Sequence, residues 1–223
     1  MTHPSPNCGE RRGGARPDLV VIHYTAMASV AEARQRLCDP AHEVSAHWLI
    51  AEDGGTEQLV DEALRAWHAG AGQWGAVTDV NSRSIGIELA NTGTQPFPEP
   101  QMTALETLLR GIMARWPIPP QRIIGHSDMA PARKSDPGPR FDWRRLARQG
   151  LSVWPDDAPP QDPAAFAPAA RAFGYATPDD ALLLRAFRLR FRPHASGPVD
   201  ATDAAMAATL AARFPVDATP PRA

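Results

Sequence analysis

The sequence predicts an α/β domain, a mixed central sheet flanked by helices, followed by a small three-helix bundle. Over the first two thirds of the chain, short apolar strands are interleaved with helical periodicity; beyond a Pro-rich stretch only helical patterns remain. The expected division is a first domain over 1–154, a linker over 155–168, a bundle over 169–215 and a mobile tail over 216–223.

Each element has a local reason. Leu19-Val20-Val21-Ile22 is a short buried strand that closes on His23. Ser29 and Glu32 have capping-box spacing, and Val30, Ala33 and Leu37 fall on one face of the helix behind them. Residues 44–51 have β character and run into Glu52-Asp53-Gly54-Gly55, a hairpin turn from which 56–60 returns as the partner strand. A further strand covers 84–89. Helical spacing of Met102, Leu105, Leu108, Leu109, Ile112 and Met113 predicts a helix over 101–116, which Pro117 ends. Arg122-Ile123-Ile124 is a third core strand, and it again delivers a histidine, His126, past a glycine. In the bundle, 168–173 is a short helix and Thr177-Pro178 starts a second, with Leu182, Leu183, Ala186, Phe187 and Phe191 inward. Residues 202–214 make the third.

Composition narrows the function. Hydrophobic residues make up 43% and charged ones 22% of the 223 residues, so the 24 prolines punctuate a folded chain. Lys and Arg number 23 against 25 Asp and Glu, a net charge of −2 that supplies no general field toward nucleic acid or acidic membranes. Cys8 and Cys38 are too few for a disulfide framework. No apolar run of signal-peptide length opens the chain, and the residues before Cys8 are polar or Pro-rich where a lipid-anchored protein needs an apolar segment. The expected location is cytoplasmic, with no membrane anchor and with the periplasm as the alternative.

Three residues invite a metal. His23 and His126 each follow a short apolar strand, and Asp136 lies in a Pro/Gly-rich loop ten positions after His126. Converging at one sheet end, they would give zinc two imidazoles and one carboxylate and leave the fourth tetrahedral position for water. On spacing alone each reads equally as an ordinary polar residue. Glu88, inside Ile85-Gly86-Ile87-Glu88-Leu89, is either an edge position facing water or a carboxylate in a cleft, tuned for proton transfer. Lys134 is either a solvated loop lysine or a cation beside the open side of a metal. Ala66-Trp67-His68-Ala69-Gly70, with Trp48 and Trp74, lines a groove or fills the core. His42 and His47 read as structural, and His3 and His194 carry no signal.

Taken together, these residues resemble the zinc-dependent N-acetylmuramoyl-L-alanine amidases of the type 2 family, which share a fold with peptidoglycan recognition proteins. The resemblance runs through Val21-Ile22-His23-Tyr24-Thr25, Ser45-Ala46-His47-Trp48, Ala66-Trp67-His68-Ala69-Gly70, Ser84-Ile85-Gly86-Ile87-Glu88-Leu89, Gly125-His126-Ser127-Asp128 and Arg133-Lys134-Ser135-Asp136-Pro137-Gly138. It implies zinc on His23, His126 and Asp136, Glu88 as the activating carboxylate, Lys134 as the oxyanion partner, and Tyr24, Trp67 and His68 along the substrate groove. The end of this block and the bundle look most like the AmiD branch of the AmiD/AmpD-like amidases, in which a three-helix peptidoglycan-binding-type domain follows. Residues 186–193 resemble that domain's core motif, with Arg188 where a glutamine usually follows the Phe.

The resemblance implies hydrolysis of the amide between N-acetylmuramic acid and L-alanine of the stem peptide; the expected cytoplasmic location adds that the substrates are soluble muropeptides, anhydro forms among them, met in cell-wall recycling. A non-catalytic peptidoglycan sensor is the rival reading, and it has no need of the complete His23, His126 and Asp136 set. A zinc peptidase acting within the stem peptide would use the same residues. Because every candidate catalytic residue precedes the linker, a chain ending near Trp154 is expected to fold and to cleave small muropeptides.

Overall fold

The computed structural model describes residues 3–217. In chain order its strands are β1 (Cys8–Gly9), β2 (Leu19–Tyr24), β3 (Trp48–Ile50), β4 (Thr56–Gln58), β5 (Arg65–Ala66), β6 (Ser84–Leu89) and β7 (Ile123–Gly125). Its α-helices are α1 (Val30–Cys38), α2 (Val80–Arg83), α3 (Glu99–Arg115), α4 (His126–Met129), α5 (Trp143–Arg148), α6 (Phe166–Phe173), α7 (Asp180–Phe191) and α8 (Ala201–Arg213). The main sheet has the order β4-β3-β6-β2-β7, in which only the β3–β4 hairpin pair is antiparallel. This is the mixed, helix-covered sheet that the interleaved pattern predicts. Among the described residues no helix is long and apolar enough to cross a membrane.

Local chemistry explains the starts. Ser29 Oγ accepts from the Glu32 amide and Glu32 Oε2 accepts from the Ala28 amide, which together tie down the first turn of α1. The Glu52–Gly55 turn closes with an Asp53 side chain accepting from the Gly55 amide at 2.9 Å. Helix α3 begins two residues before the expected start because Pro100 sits in its first turn, where the missing N–H costs nothing. Helix α7 begins at Asp180, since Asp179 accepts from the Ala181 and Leu182 amides and caps it.

Strand alternation divides the sheet between two cores. Val20, Ile22, Ile85, Ile87 and Leu89 face α3 and α5, meeting Leu105, Leu109, Ile112, Trp143 and Leu146. Leu19, Val21 and Ile124 face the other way and pack in one continuous cluster with Trp74, Met129, Phe173, Tyr175, Phe187 and Phe191. The C-terminal helices thus complete the core of the sheet. Trp74 lies edge-on to both Phe173 and Tyr175. Helix α1 covers β3 through Ala33, Leu37 and Leu49.

Three details differ from the sequence reading. A turn at Pro163–Ala165 and the start of α6 fall inside the expected linker, because Asp162 caps the turn. Val216, at the start of the expected tail, is 4% exposed, and its carbonyl accepts from Arg122; the rest of that tail, 218–223, lies outside the described residues. Arg188 and Arg190 are buried on the face that apolar periodicity assigned to the core, while Leu182 is only partly covered.

The packing also changes the expectation for truncation. Ending the chain after Trp154 exposes Leu19, Val21, Trp74 and Ile124 and removes five buried aromatic residues from their cluster, each burying roughly 150–250 Å². The truncated chain is expected to bind a hydrophobic dye and to lose its sharp thermal transition. A cooperative transition near that of the full chain would show that the sheet closes without the bundle.

Candidate metal centre

The site forms along one row of the sheet. In the parallel register His23 on β2 lies opposite Glu88 on β6, and Ile22 lies opposite Gly125 on β7, so the next residue, His126, emerges beside His23. Three adjacent strands therefore release their functional side chains at the same end. Asp136 arrives on the loop after α4, whose return is fixed where the Ser127 amide donates to the Asp136 carbonyl at 2.9 Å.

His23 Nδ1, His126 Nδ1 and Asp136 Oδ2 converge, with separations of 2.9, 3.0 and 3.0 Å. Hydrogen bonds behind the rings decide where the protons are. Ser84 Oγ donates to the Val80 carbonyl at 2.5 Å, so it accepts from His68 Nε2–H at 3.1 Å. His68 Nδ1 is then an acceptor, and His23 Nε2–H donates to it at 3.0 Å. On the other side His126 Nε2–H donates to the Ala69 carbonyl at 2.9 Å. Each metal-facing Nδ1 is left as a bare lone pair.

Two lone pairs and a carboxylate oxygen this close repel one another unless a cation lies among them. Ligands bound tetrahedrally to zinc at about 2.0–2.1 Å stand about 3.3 Å apart, close to the observed spacing. Two imidazoles and one carboxylate, all buried, are a catalytic zinc set, and the residues fit that ion. Burial, then the neighbouring His126, pushes the His23 pKa down to about 4, with Asp136 partly offsetting both. Burial raises the Asp136 pKa, but when no metal is bound and His23 or His126 carries a proton, its hydrogen bond and charge outweigh burial and hold the carboxyl below its ordinary range. The set is thus kept in the protonation state that binds metal.

Around these donors lies a cleft of about 360 Å³, bordered by Tyr24, Trp67, His68, Glu88, Lys134 and Arg36. Glu88 borders it half-buried, with Oε2 sealed from solvent and, among the described residues, without a hydrogen-bond partner. Burial, reinforced by Asp136 and opposed by the Lys134 ammonium, pushes its pKa up to about 8. A carboxylate that borders the cleft and accepts protons near neutrality is suited to act as a base. Tyr24 is loosely held, its hydroxyl 3.4 Å from Ser135 Oγ.

His68 behaves differently from Tyr24 and Trp67, with which the sequence grouped it. Both of its ring nitrogens are engaged, by His23 and by Ser84, so its clearest function is to fix the His23 ring. Gly86 makes this possible: a Cβ there would stand 2.4 Å from His68 Cγ. His47 is wholly buried behind, accepting from the Gly86 amide at 2.9 Å and donating to the Leu64 carbonyl, a structural role. Ser84 and Gly86 are the supporting residues that sequence reasoning missed; the clue was a small residue at every second position before Glu88.

Known proteins resemble the chain over most of its length. The family described as N-acetylmuramoyl-L-alanine amidase matches residues 13–139. The chain is 36% identical to N-acetylmuramoyl-L-alanine amidase AmiD of Escherichia coli over 237 residues, covering 91% of this chain and 85% of that protein. It is 35% identical to 1,6-anhydro-N-acetylmuramyl-L-alanine amidase AmpD of Enterobacter cloacae over 160 residues, 64% of this chain and 86% of that one. Among solved structures, E. coli AmiD in complex with anhydro-N-acetylmuramic acid-L-Ala-D-γ-Glu-L-Lys superposes with a TM-score of 0.81 at 34% identity, covering 93% of this chain and 98% of that one. AmpDh3 of Pseudomonas aeruginosa in complex with anhydromuramic pentapeptide gives 0.81 at 34% identity, covering 92% and 95%.

Two outcomes follow from the proton positions. Ser84→Ala frees the His68 tautomer and is expected to weaken zinc binding by about tenfold, read by competition with a chelator; unchanged affinity would refute the chain of hydrogen bonds. For the metal-stripped protein, burial lowers the His23 and His47 pKa values from 6.5 to about 4 and lowers that of His68 well below 6.5, so their stabilisation is lost as pH falls below 6.5. Glu88, raised from 4.5 to about 8, acts in the opposite sense and costs stability as pH rises through that window. Three histidines outweigh one carboxyl below pH 6.5 and Glu88 acts alone above it. Urea denaturation between pH 5 and 8.5 is expected to show a maximum near 6.5; a flat acidic limb would contradict it.

Proposed function

The chain belongs to the N-acetylmuramoyl-L-alanine amidase family, and we propose that its site hydrolyses the amide between N-acetylmuramic acid, or its anhydro form, and L-alanine of the stem peptide. The observation that carries this is the convergence of His23 Nδ1, His126 Nδ1 and Asp136 Oδ2 within 3.0 Å, in a cleft that also holds the unpartnered Glu88. A sensor gains nothing from such a set.

Zinc, when bound, supplies polarisation of the scissile carbonyl and a lowered pKa for the attacking water. His23, His126 and Asp136 hold it. Glu88 takes the proton of that water on the carboxylate edge that faces the cleft and hands it to the departing L-alanine nitrogen, an effect typically worth about 10²–10⁴-fold. Lys134 places its ammonium toward the oxyanion that develops on the carbonyl oxygen. Tyr24 and Trp67 form the walls against which the muropeptide packs, and His68 acts through His23.

The substrate class follows from the relatives, two of which are solved with anhydromuramic peptides. Soluble muropeptides of cell-wall recycling are its substrates, and they are cleaved faster than sacculi. We assign the C-terminal helices a peptidoglycan-binding-type fold and an auxiliary part in holding glycan, on the 186–193 motif. The two free thiols, Cys8 and Cys38, support a cytoplasmic site of action.

Mass spectrometry of products from a defined anhydromuropeptide tests the reaction. Free anhydro-N-acetylmuramic acid and an intact stem peptide are expected; cleavage inside the peptide would make the protein a peptidase. Glu88→Gln is expected to keep zinc and lower turnover by about 10² or more, and Lys134→Ala to keep zinc and slow the rate. Near-normal turnover in Glu88→Gln would assign proton transfer to another group.

A further inference from the structure

We propose that the C-terminal helices position the metal ligand His126, acting through the Asp128 carboxylate; the inference rests on the zinc reading of the site and gives the helices a role apart from glycan binding. Asp128 lies two residues after His126 in the single turn of α4 and is 1% exposed. Its Oδ2 accepts from the Gly125 amide at 2.8 Å, the residue immediately before His126. The same oxygen accepts from Arg190 Nη1 on α7 at 2.8 Å, and Oδ1 accepts from the Tyr175 hydroxyl at 2.7 Å. One carboxylate therefore joins the backbone that carries His126 to two side chains from beyond the expected linker.

Arg190 holds more than Asp128. Its Nη2 donates to the Ile123 carbonyl at 3.1 Å and to Ser152 Oγ at 3.2 Å, and its guanidinium lies 4.4 Å from the Trp143 ring and 4.9 Å from that of Phe191. Ile123 and Gly125 are the first and last residues of β7. Arg190 and Asp128 thus grip both ends of the strand that delivers His126. A buried ion pair adds little net stability over apolar residues of the same volume, so what it contributes here is a fixed direction for α4.

Tyr175→Phe removes one hydroxyl, and Arg190→Met removes the charge at similar volume. Arg188→Gln is the control: Arg188 pairs with Asp203 within the bundle and does not reach Asp128. The readouts are zinc affinity by chelator competition, the visible spectrum of the cobalt-substituted protein, and kcat against KM. Folded Tyr175→Phe and Arg190→Met proteins are expected to bind zinc about tenfold or more weakly, with altered cobalt bands and a fall in kcat at similar KM. Arg188→Gln is expected to leave affinity and spectrum unchanged. If Arg190→Met does not fold, Tyr175→Phe decides alone. Zinc affinity within twofold of the parent and an unchanged spectrum in Tyr175→Phe would overturn the proposal, as would the same losses in Arg188→Gln. A parent protein that binds zinc but releases no stem peptide would instead defeat the amidase reading and leave this inference standing.

Discussion

The site depends on two imidazoles keeping their protons on the side away from the metal. For His126 a backbone carbonyl does this directly, and for His23 a relay of His68, Ser84 and the Val80 carbonyl does it at one remove. Everything in front of the rings follows: two bare lone pairs, a carboxylate held ionised beside them, and a preference for a divalent cation over a proton. The relay in turn needs Gly86, because a larger residue would occupy the space of the His68 ring. A glycine in the middle of a parallel strand weakens it, so the arrangement gives up some sheet stability for the alignment of one ligand.

Several groups in this fold are buried at a cost. Arg190 and Asp128 are each almost wholly enclosed, as are Arg188 and Asp203, and removing one member of such a pair typically costs about 3–5 kcal/mol because the other is stranded. Most donors are well matched, although Arg190 Nε has no acceptor among the described residues. Glu62 shows the opposite economy: one carboxylate receives Trp48, Arg115 and Trp116, pinning the hairpin to the end of α3. Apolar burial supplies the driving force for folding, while these polar contacts choose one arrangement of the elements.

The strands ending on His23 and His126, the hairpin and α3 were legible because apolar periodicity and turn chemistry are local. The metal set was legible only through the motif pattern as a whole, since a lone histidine at a strand end has many ordinary explanations. Asp128 and Arg190 were not legible as partners: they are 62 positions apart, and periodicity counts apolar residues, so an arginine on the inward face reads as exposed. The role of His68 was hidden for a related reason, as a motif names a residue near the groove without saying which way its ring faces. Helix starts shifted by two residues or so because proline and aspartate caps act on the first turn alone.

The far wall of the cleft has a separate origin from its floor. His23, Glu88 and His126 come from the central strands, whereas Ala33, Arg36 and Leu37 belong to α1, which rests on its own small core with Leu49 and Leu59. Among the described residues, helix α1 shares no hydrogen bond with the donor row, and its exposed Arg36 has no part in holding it. The metal donors and this border of the cleft therefore rest on separate packing. Substitution in α1 can change the charge and width of that border while the hydrogen bonds that orient His23 and His126 stay in place.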